Sequence, residues 1–423
     1  MINIETLRDN PNLIREGLDK RGENTASIDE IIHLDKQWRA KVFEADTLRS
    51  HRNSVNKEIG NTKPIPATLI SEMRDVSTRI KEIENRAKSL EKQVEELLLT
   101  IPNIPDDDVP IGSGEENNLV IKSPDKLPSF SFTPLSHWEI GEKLQIIDLQ
   151  RGAKIAGSRF YVLKGQGAVL QRALVSWMLD LHIQHGYEEL YLPYLVTRDT
   201  ATGSGQLPKF DSTMYHDNED DLWMIPTAEV PITSMHRDEI LNPKNLPLHY
   251  VAHTPCFRRE KAAAGRDTRG IKRVHQFEKV EMYKLVEPEN SPQALAELVS
   301  NAESICAQLQ IPYRVIELCA GELGAASAKS FDLEMWAPGS QEWLEVSSCS
   351  NCRDFQARRS NIRYRPAPKA RTKFIHTLNG SGLALPRVMI SIIENFQQPD
   401  GSIIIPDVLK PYTNFDKIKP KQG

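Results

Sequence analysis

From Leu69 the apolar series Leu69, Met73, Val76, Ile80, Ile83, Ala87, Leu90, Val94 and Leu97 steps by four and three, the spacing of a heptad seam on one helix. Upstream, Ile31, Leu34, Trp38, Ala45, Leu48, Val55 and Ile59 keep the same register. Lys41 and Arg52 interrupt them at seam positions, from which long side chains can snorkel outward. Gly60, Pro64 and Pro66 break the chain between the two runs, so the pattern predicts two long antiparallel helices. "SIDE", Ser27 to Glu30, has the spacing of a capping box that would open the first. About 33 residues at about 1.5 Å each make a hairpin about 50 Å long, more than a compact domain needs, so it should project as an arm. Such an arm either dimerises as a coiled coil or reaches towards a large partner.

Past Leu97 the period lapses. "IPNIPDDDVPIGSGEENN", residues 101 to 118, mixes Pro, Gly and acids and reads as a linker. The expected domains are therefore residues 1–110 and 119–423. In the second, "LQRALVSWMLDLHIQHGYEELYLPYLV" reads as an amphipathic helix ending near Gly186 and a short strand reaching Pro193. "LPLHYVAHTPCFRRE" and "VHQFEKVEMYKLV" read as two strands joined by a Gly-bearing loop. The fold class is α+β, an antiparallel helical arm followed by a sheet-based domain. Charged side chains on such strands face a pocket or need buried partners, which singles out Arg258, Glu260 and Glu281.

Composition narrows the class. Over 423 residues, 39% hydrophobic and 26% charged content describe a soluble globular protein, with no run near the roughly 20 apolar residues that cross a membrane. The first residues lack a signal-peptide core and carry too many acids for an organelle presequence, which predicts a cytoplasmic protein. Five cysteines are too few and scattered for a disulfide framework. The Cys349/Cys352 pair has no second pair to complete a zinc site, so no zinc is expected. The net charge is −5, yet seven Lys/Arg and only two acids lie between Phe257 and Val274.

Three further stretches hold polar groups that packing alone would not select. "MIPTAEVPI" sets Thr227 and Glu229 on one side if extended. "EWLEVSSCSN" does the same with Glu345 and Ser347, followed by Ser348. "LNGSGLALPRVMISIIENF" reads as a glycine-rich turn running through Arg387 into a helix. In this order they resemble the signature motifs of class II aminoacyl-tRNA synthetases, and with the hairpin, "TAE", "GRDTRG" and "HQFEKVEM" the chain resembles the seryl-tRNA synthetase family over nearly its whole length. The helix and strand ending at Pro193 resemble motif 1, "FRRE" to "HQFEKVEMY" motif 2, and "GSGLALPR" motif 3. Pro386 stands where many class members carry an acid.

The resemblance implies a tRNA-binding N-terminal domain and a catalytic domain on a mainly antiparallel sheet flanked by helices. It implies ATP-dependent activation of L-serine to seryl-adenylate, then transfer to the 3′ end of tRNA(Ser), and to tRNA(Sec) where present, by a homodimer. Arg258 and Arg387 would be catalytic. Arg258, Arg259, Glu260, Val274, Phe277, Glu345, Val346, Ser347, Ser348 and Arg387 would bind ATP, with Mg²⁺ on Glu345 and Ser348. Thr227, Ala228, Glu229, Arg258, Glu281 and Ser381 would bind serine, and Arg266, Arg269, Lys272 and Arg273 would meet the tRNA acceptor end. A carrier-protein ligase would lack the arm, and a catalytically dead RNA binder would have lost one of these charged residues.

Overall fold

The computed structural model describes residues 1–60, 66–261 and 269–420. The turn expected around Pro64, and Arg266, lie outside the described residues. Two compact units divide between Pro102 and Asn103.

In the first unit two short helices, Ile4–Asp9 and Pro11–Lys20, precede α1 (Ala26–Gly60) and α2 (Ala67–Thr100), which pack along each other. Helix α1 opens earlier than "SIDE" suggests: the Asn24 carboxamide oxygen accepts from Ala26 N at 2.8 Å, and Ser27 already sits in the first turn. On α2 Met73, Ile80, Ile83, Ala87, Leu90 and Val94 are buried as the heptad requires. The last buried position is Leu98 rather than Leu97. A helix slips about 20° per heptad against a strict seven-residue repeat, and four heptads accumulate nearly one residue step. Buried Asp35 is held by Arg8 at 2.6 Å and Arg39 at 2.9 Å. Burial pushes its carboxyl up, but these two guanidiniums outweigh it and hold it below the usual carboxylate range.

The second unit is built on eight strands: β1 (Leu119–Lys122), β2 (Glu188–Leu190), β3 (Leu248–Phe257), β4 (Gln276–Val286), β5 (Tyr313–Glu317), β6 (Lys329–Ala337), β7 (Glu342–Arg353) and β8 (His376–Ala384). Their order is β1-β5-β6-β7-β8-β4-β3-β2, antiparallel throughout except for the parallel β2–β3 edge. Four helices matter here: α3 (Gln166–Gln184), α4 (Glu229–Ser234), α5 (Ser291–Gln308) and α6 (Leu385–Asn395). Helices α3, α5 and α6 cover one face, where Leu174, Leu298 and Ile392 meet Val280, Met282 and Leu378 in the main core. Alternation along β4 turns Phe277, Lys279, Glu281 and Tyr283 to the other face.

Two expectations change. Segment 101–118 is not a free linker beyond Pro102: the Asn103 carboxamide donates to the carbonyls of Ala326 and Cys352 at 2.8 and 2.9 Å, and Val109 packs with Leu318, Ala320 and Leu323. "LNGSG" is not a turn but the middle of β8. Its glycines answer crowding: a Cβ on Gly380 would lie 2.9 Å from Cys349 Sγ, and one on Gly382 would lie 2.5 Å from His182 Nε2. Among the described residues no helix is long and apolar enough to cross a membrane.

Candidate active site

On the face away from the main core, a cleft of about 320 Å³ opens between β4, β7, β8 and the segments leading into α4 and α6. Two irregularities of pairing build it. Between Leu333↔Ser347 and Glu334↔Glu345 the β6–β7 register shifts, so that Val346 is an extra residue on β7. Simple alternation pairs Glu345 with Ser347; the bulge instead turns Glu345 and Ser348 into the cleft. Ser347 points elsewhere, donating to the carbonyl of Ser381 at 2.6 Å. A second shift, between Lys279↔Ala384 and Glu281↔Ser381, sets Glu281 opposite Ser381.

The floor is charged, polar and buried. Lys279 forms an ion pair with Glu281 and donates to Thr227 Oγ1 at 2.7 Å. Thr227 and Glu229 do not share an extended strand: α4 begins at Glu229, whose N–H donates weakly to Thr227 Oγ1 at 3.4 Å, and the resulting turn brings both side chains to the cleft. Burial first, then the nearby Glu281 charge, pushes the Glu229 carboxyl up to about 7, against the pull of Lys279 and hydrogen bonds from Gln356 and Asn379.

Gln356 is fully buried and completely used. Its amide nitrogen donates to Glu229 Oε1 at 2.5 Å and to Ser204 O at 3.0 Å. Its oxygen accepts from Thr377 Oγ1 at 2.6 Å and Tyr283 OH at 3.0 Å. The Ser204 carbonyl can only accept, which fixes the amide nitrogen on the side facing Glu229.

The rim is cationic. Arg258 lies exposed over the Phe277 ring at 5.2 Å and leans on the Pro226 carbonyl at 3.4 Å. Arg387 donates to the Glu345 carbonyl at 2.7 Å and pairs with its carboxylate at 3.3 Å. Glu260, in the left-handed region at φ +46°, pairs with Arg273 at 3.6 Å, and Lys272 pairs with Glu342. Behind Ser348 stands Asp332, whose Oδ1 is shielded from solvent without a hydrogen-bond donor. Burial and the Glu345 charge push its carboxyl well up.

The structure thus brings together Arg258, Glu260, Val274, Phe277, Glu345, Val346, Ser348, Arg387, Thr227, Glu229, Glu281, Ser381, Lys272 and Arg273. It does not bring in four of the described candidates. Arg259 instead covers the Tyr215 ring at 4.5 Å and donates to Met214 O, Ala228 is packed into an apolar cluster, and Ser347 is turned away by the bulge. Arg269 lines a separate cavity with Trp138 and Phe160. The sequence pattern does not single out Asn379, Gln356, Asp332 or Lys279. Alternation with Phe277 and Glu281 is the one signal that could have placed Lys279. All five cysteines are buried, and none forms a disulfide.

Residues 209–396 match the family model of the tRNA synthetase class II core domain (G, H, P, S and T), the class to which this sheet and cleft belong. Residues 1–105 match the seryl-tRNA synthetase N-terminal domain. The chain is 54% identical over 97% of its length to the serine–tRNA ligase of Thermomicrobium roseum, covering 93% of that relative. Among solved structures it is similar to the Pyrococcus horikoshii seryl-tRNA synthetase complexed with ATP (39% identity, TM-score 0.94, 100% of both chains). It is also similar to the Naegleria fowleri cytoplasmic enzyme in complex with AMP (33% identity, TM-score 0.88, 100% of this chain and 99% of that one). The chain belongs to the serine–tRNA ligase family.

Proposed function

We propose that the chain activates L-serine with ATP and transfers the seryl group to the 3′ end of tRNA(Ser). The observation that carries this reading is the cleft's polarity, a buried Thr227–Lys279–Glu281–Glu229 floor beneath a rim of Arg258, Lys272, Arg273 and Arg387. An amino acid with a short polar side chain suits the floor: Glu229 accepts from its ammonium, and Glu281 with Ser381 engages its hydroxyl. ATP suits the rim, with Phe277 and Glu260 at the adenine and Arg387 at the terminal phosphate.

The first step asks little of acid–base chemistry. The serine carboxylate is already ionised, so the work is alignment and charge neutralisation. Arg258 can hold a carboxylate oxygen and a phosphate oxygen together on its planar guanidinium. Mg²⁺ fits the hard oxygens of Glu345 and Ser348, with the orphaned Asp332 oxygen behind them, and when bound would neutralise phosphate charge.

The hairpin α1–α2 serves tRNA, and its relation to the seryl N-terminal domain model supports this. Lys272 and Arg273 lie over ATP first and then, with Arg266 and Arg269, serve the acceptor end. Exposed Ile183, on α3, and Tyr191, just after β2, support a homodimer. A cytoplasmic location and use of tRNA(Sec) belong to the same reading. Purified protein given serine, ATP, Mg²⁺ and tRNA transcripts should charge those with the serine tRNA's long variable arm, and failure to charge any of them would refute it.

A further inference from the structure

Beyond the cleft lining, three segments distant in sequence meet at His137. Its ring is 1% exposed and its partner Glu394 of α6 is 0% exposed. Glu394 Oε1 accepts from His137 N at 2.9 Å, His137 Nδ1 at 3.0 Å and Ser340 Oγ at 2.8 Å, while Oε2 accepts from Ser340 N at 2.9 Å. A carboxylate at Nδ1 keeps the ring proton there and leaves Nε2 as an acceptor. That acceptor takes the backbone N–H of Ile271 at 3.2 Å. The approach demands glycine at two points. Gly270 has φ +71°, and a Cβ on it would lie 2.0 Å from His137 Nε2; a Cβ on Gly339 would lie 2.1 Å from Leu135 O.

Ile271 is followed by Lys272 and Arg273, both in the cleft wall. Apart from their ion pairs with Glu342 and Glu260, their placement depends on where the backbone before them is fixed. We propose that His137 is a positioning residue for the nucleotide: by linking Glu394 to the Ile271 N–H it fixes the backbone from which Lys272 and Arg273 reach the phosphate side of the cleft. This rests on the adenylation reading above.

Two variants separate positioning from bulk. His137→Asn keeps a donor for Glu394 but is too short for Ile271; His137→Gln reaches Ile271 with an acceptor. In serine-dependent pyrophosphate exchange, His137→Asn should raise KM for ATP about tenfold, the worth of one buried hydrogen bond, with KM for serine within about twofold. His137→Gln should stay within about threefold of the unaltered protein, since the acceptor is kept. Hydrogen exchange at the Ile271 amide, measured without nucleotide, should quicken about tenfold in His137→Asn only. The proposal is overturned if His137→Asn leaves both readouts unchanged, or if both variants lose activity equally and in step with their melting temperatures. Should the unaltered protein show no serine-dependent exchange, the adenylation reading fails, whereas selective loss of Ile271 protection in His137→Asn would still support the clamp.

Discussion

Glu281 and Lys279 are buried together, so removing either charge strands the other. Glu281→Ala should lower kcat/KM for serine by at least about a hundredfold, because a site built to bind a hydroxyl loses its acceptor. It should also cost about 3–5 kcal/mol of stability from the uncompensated lysine. Glu281→Ala combined with Lys279→Met should recover the melting temperature but not serine use. Near-normal exchange by the single variant would remove Glu281 from the site. Glu229 makes a second claim, about pH. Its carboxyl is raised from the ordinary 4.5 to about 7, so between those values the folded chain holds a proton that the unfolded chain has released. Its contribution to stability is therefore present below 4.5 and declines as pH rises to about 7. Binding runs the other way, since only the carboxylate can accept from an ammonium. KM for serine should rise as pH falls below about 7, and Glu229→Gln should flatten that profile. A profile unchanged by Glu229→Gln would assign the titration elsewhere.

At the scale of elements, the hairpin helices and the β3–β4 pair are legible because period carries them. A seven-residue repeat names Met73 through Val94, and the strand reading of "VHQFEKVEMYKLV" singles out Glu281 as a charge that must face a pocket or a buried partner. The two register shifts are not legible, for an extra residue such as Val346 is defined only against its partner strand. This is why Ser348, and not Ser347, shares the cleft with Glu345. The same limit hides Gln356, whose meaning lies in Thr377, Tyr283 and Glu229, each remote in sequence, and it makes the glycines of β8 read as a turn when they answer helix–strand crowding. The seam itself makes a test. Leu90 is 2% exposed in the hairpin, and Leu90→Ala should cost about 2–5 kcal/mol. If the arm serves tRNA, charging at limiting tRNA should weaken in this variant while pyrophosphate exchange stays unchanged. Equal losses in both assays would tie the hairpin to the catalytic unit.

For the whole molecule, the chain's division between Pro102 and Asn103 gives the proposed division of labour a direct test. Replacing residues 32–96 by a short Gly/Ser turn removes most of α1 and α2. Adenylate formation should persist near the intact rate, and charging should fall strongly, because phosphate contacts along a helical arm supply salt-dependent affinity for tRNA. Unimpaired charging at limiting tRNA would show that the hairpin serves assembly instead. The central claim is narrower and lies in the cleft: Thr227, Glu229, Glu281 and Ser381 select serine. It is tested most directly by ATP–pyrophosphate exchange measured with each of the standard amino acids in turn. Robust exchange with serine, and at most traces with threonine, alanine or cysteine, is the predicted result. Exchange driven better by any other amino acid, or by none, would contradict it.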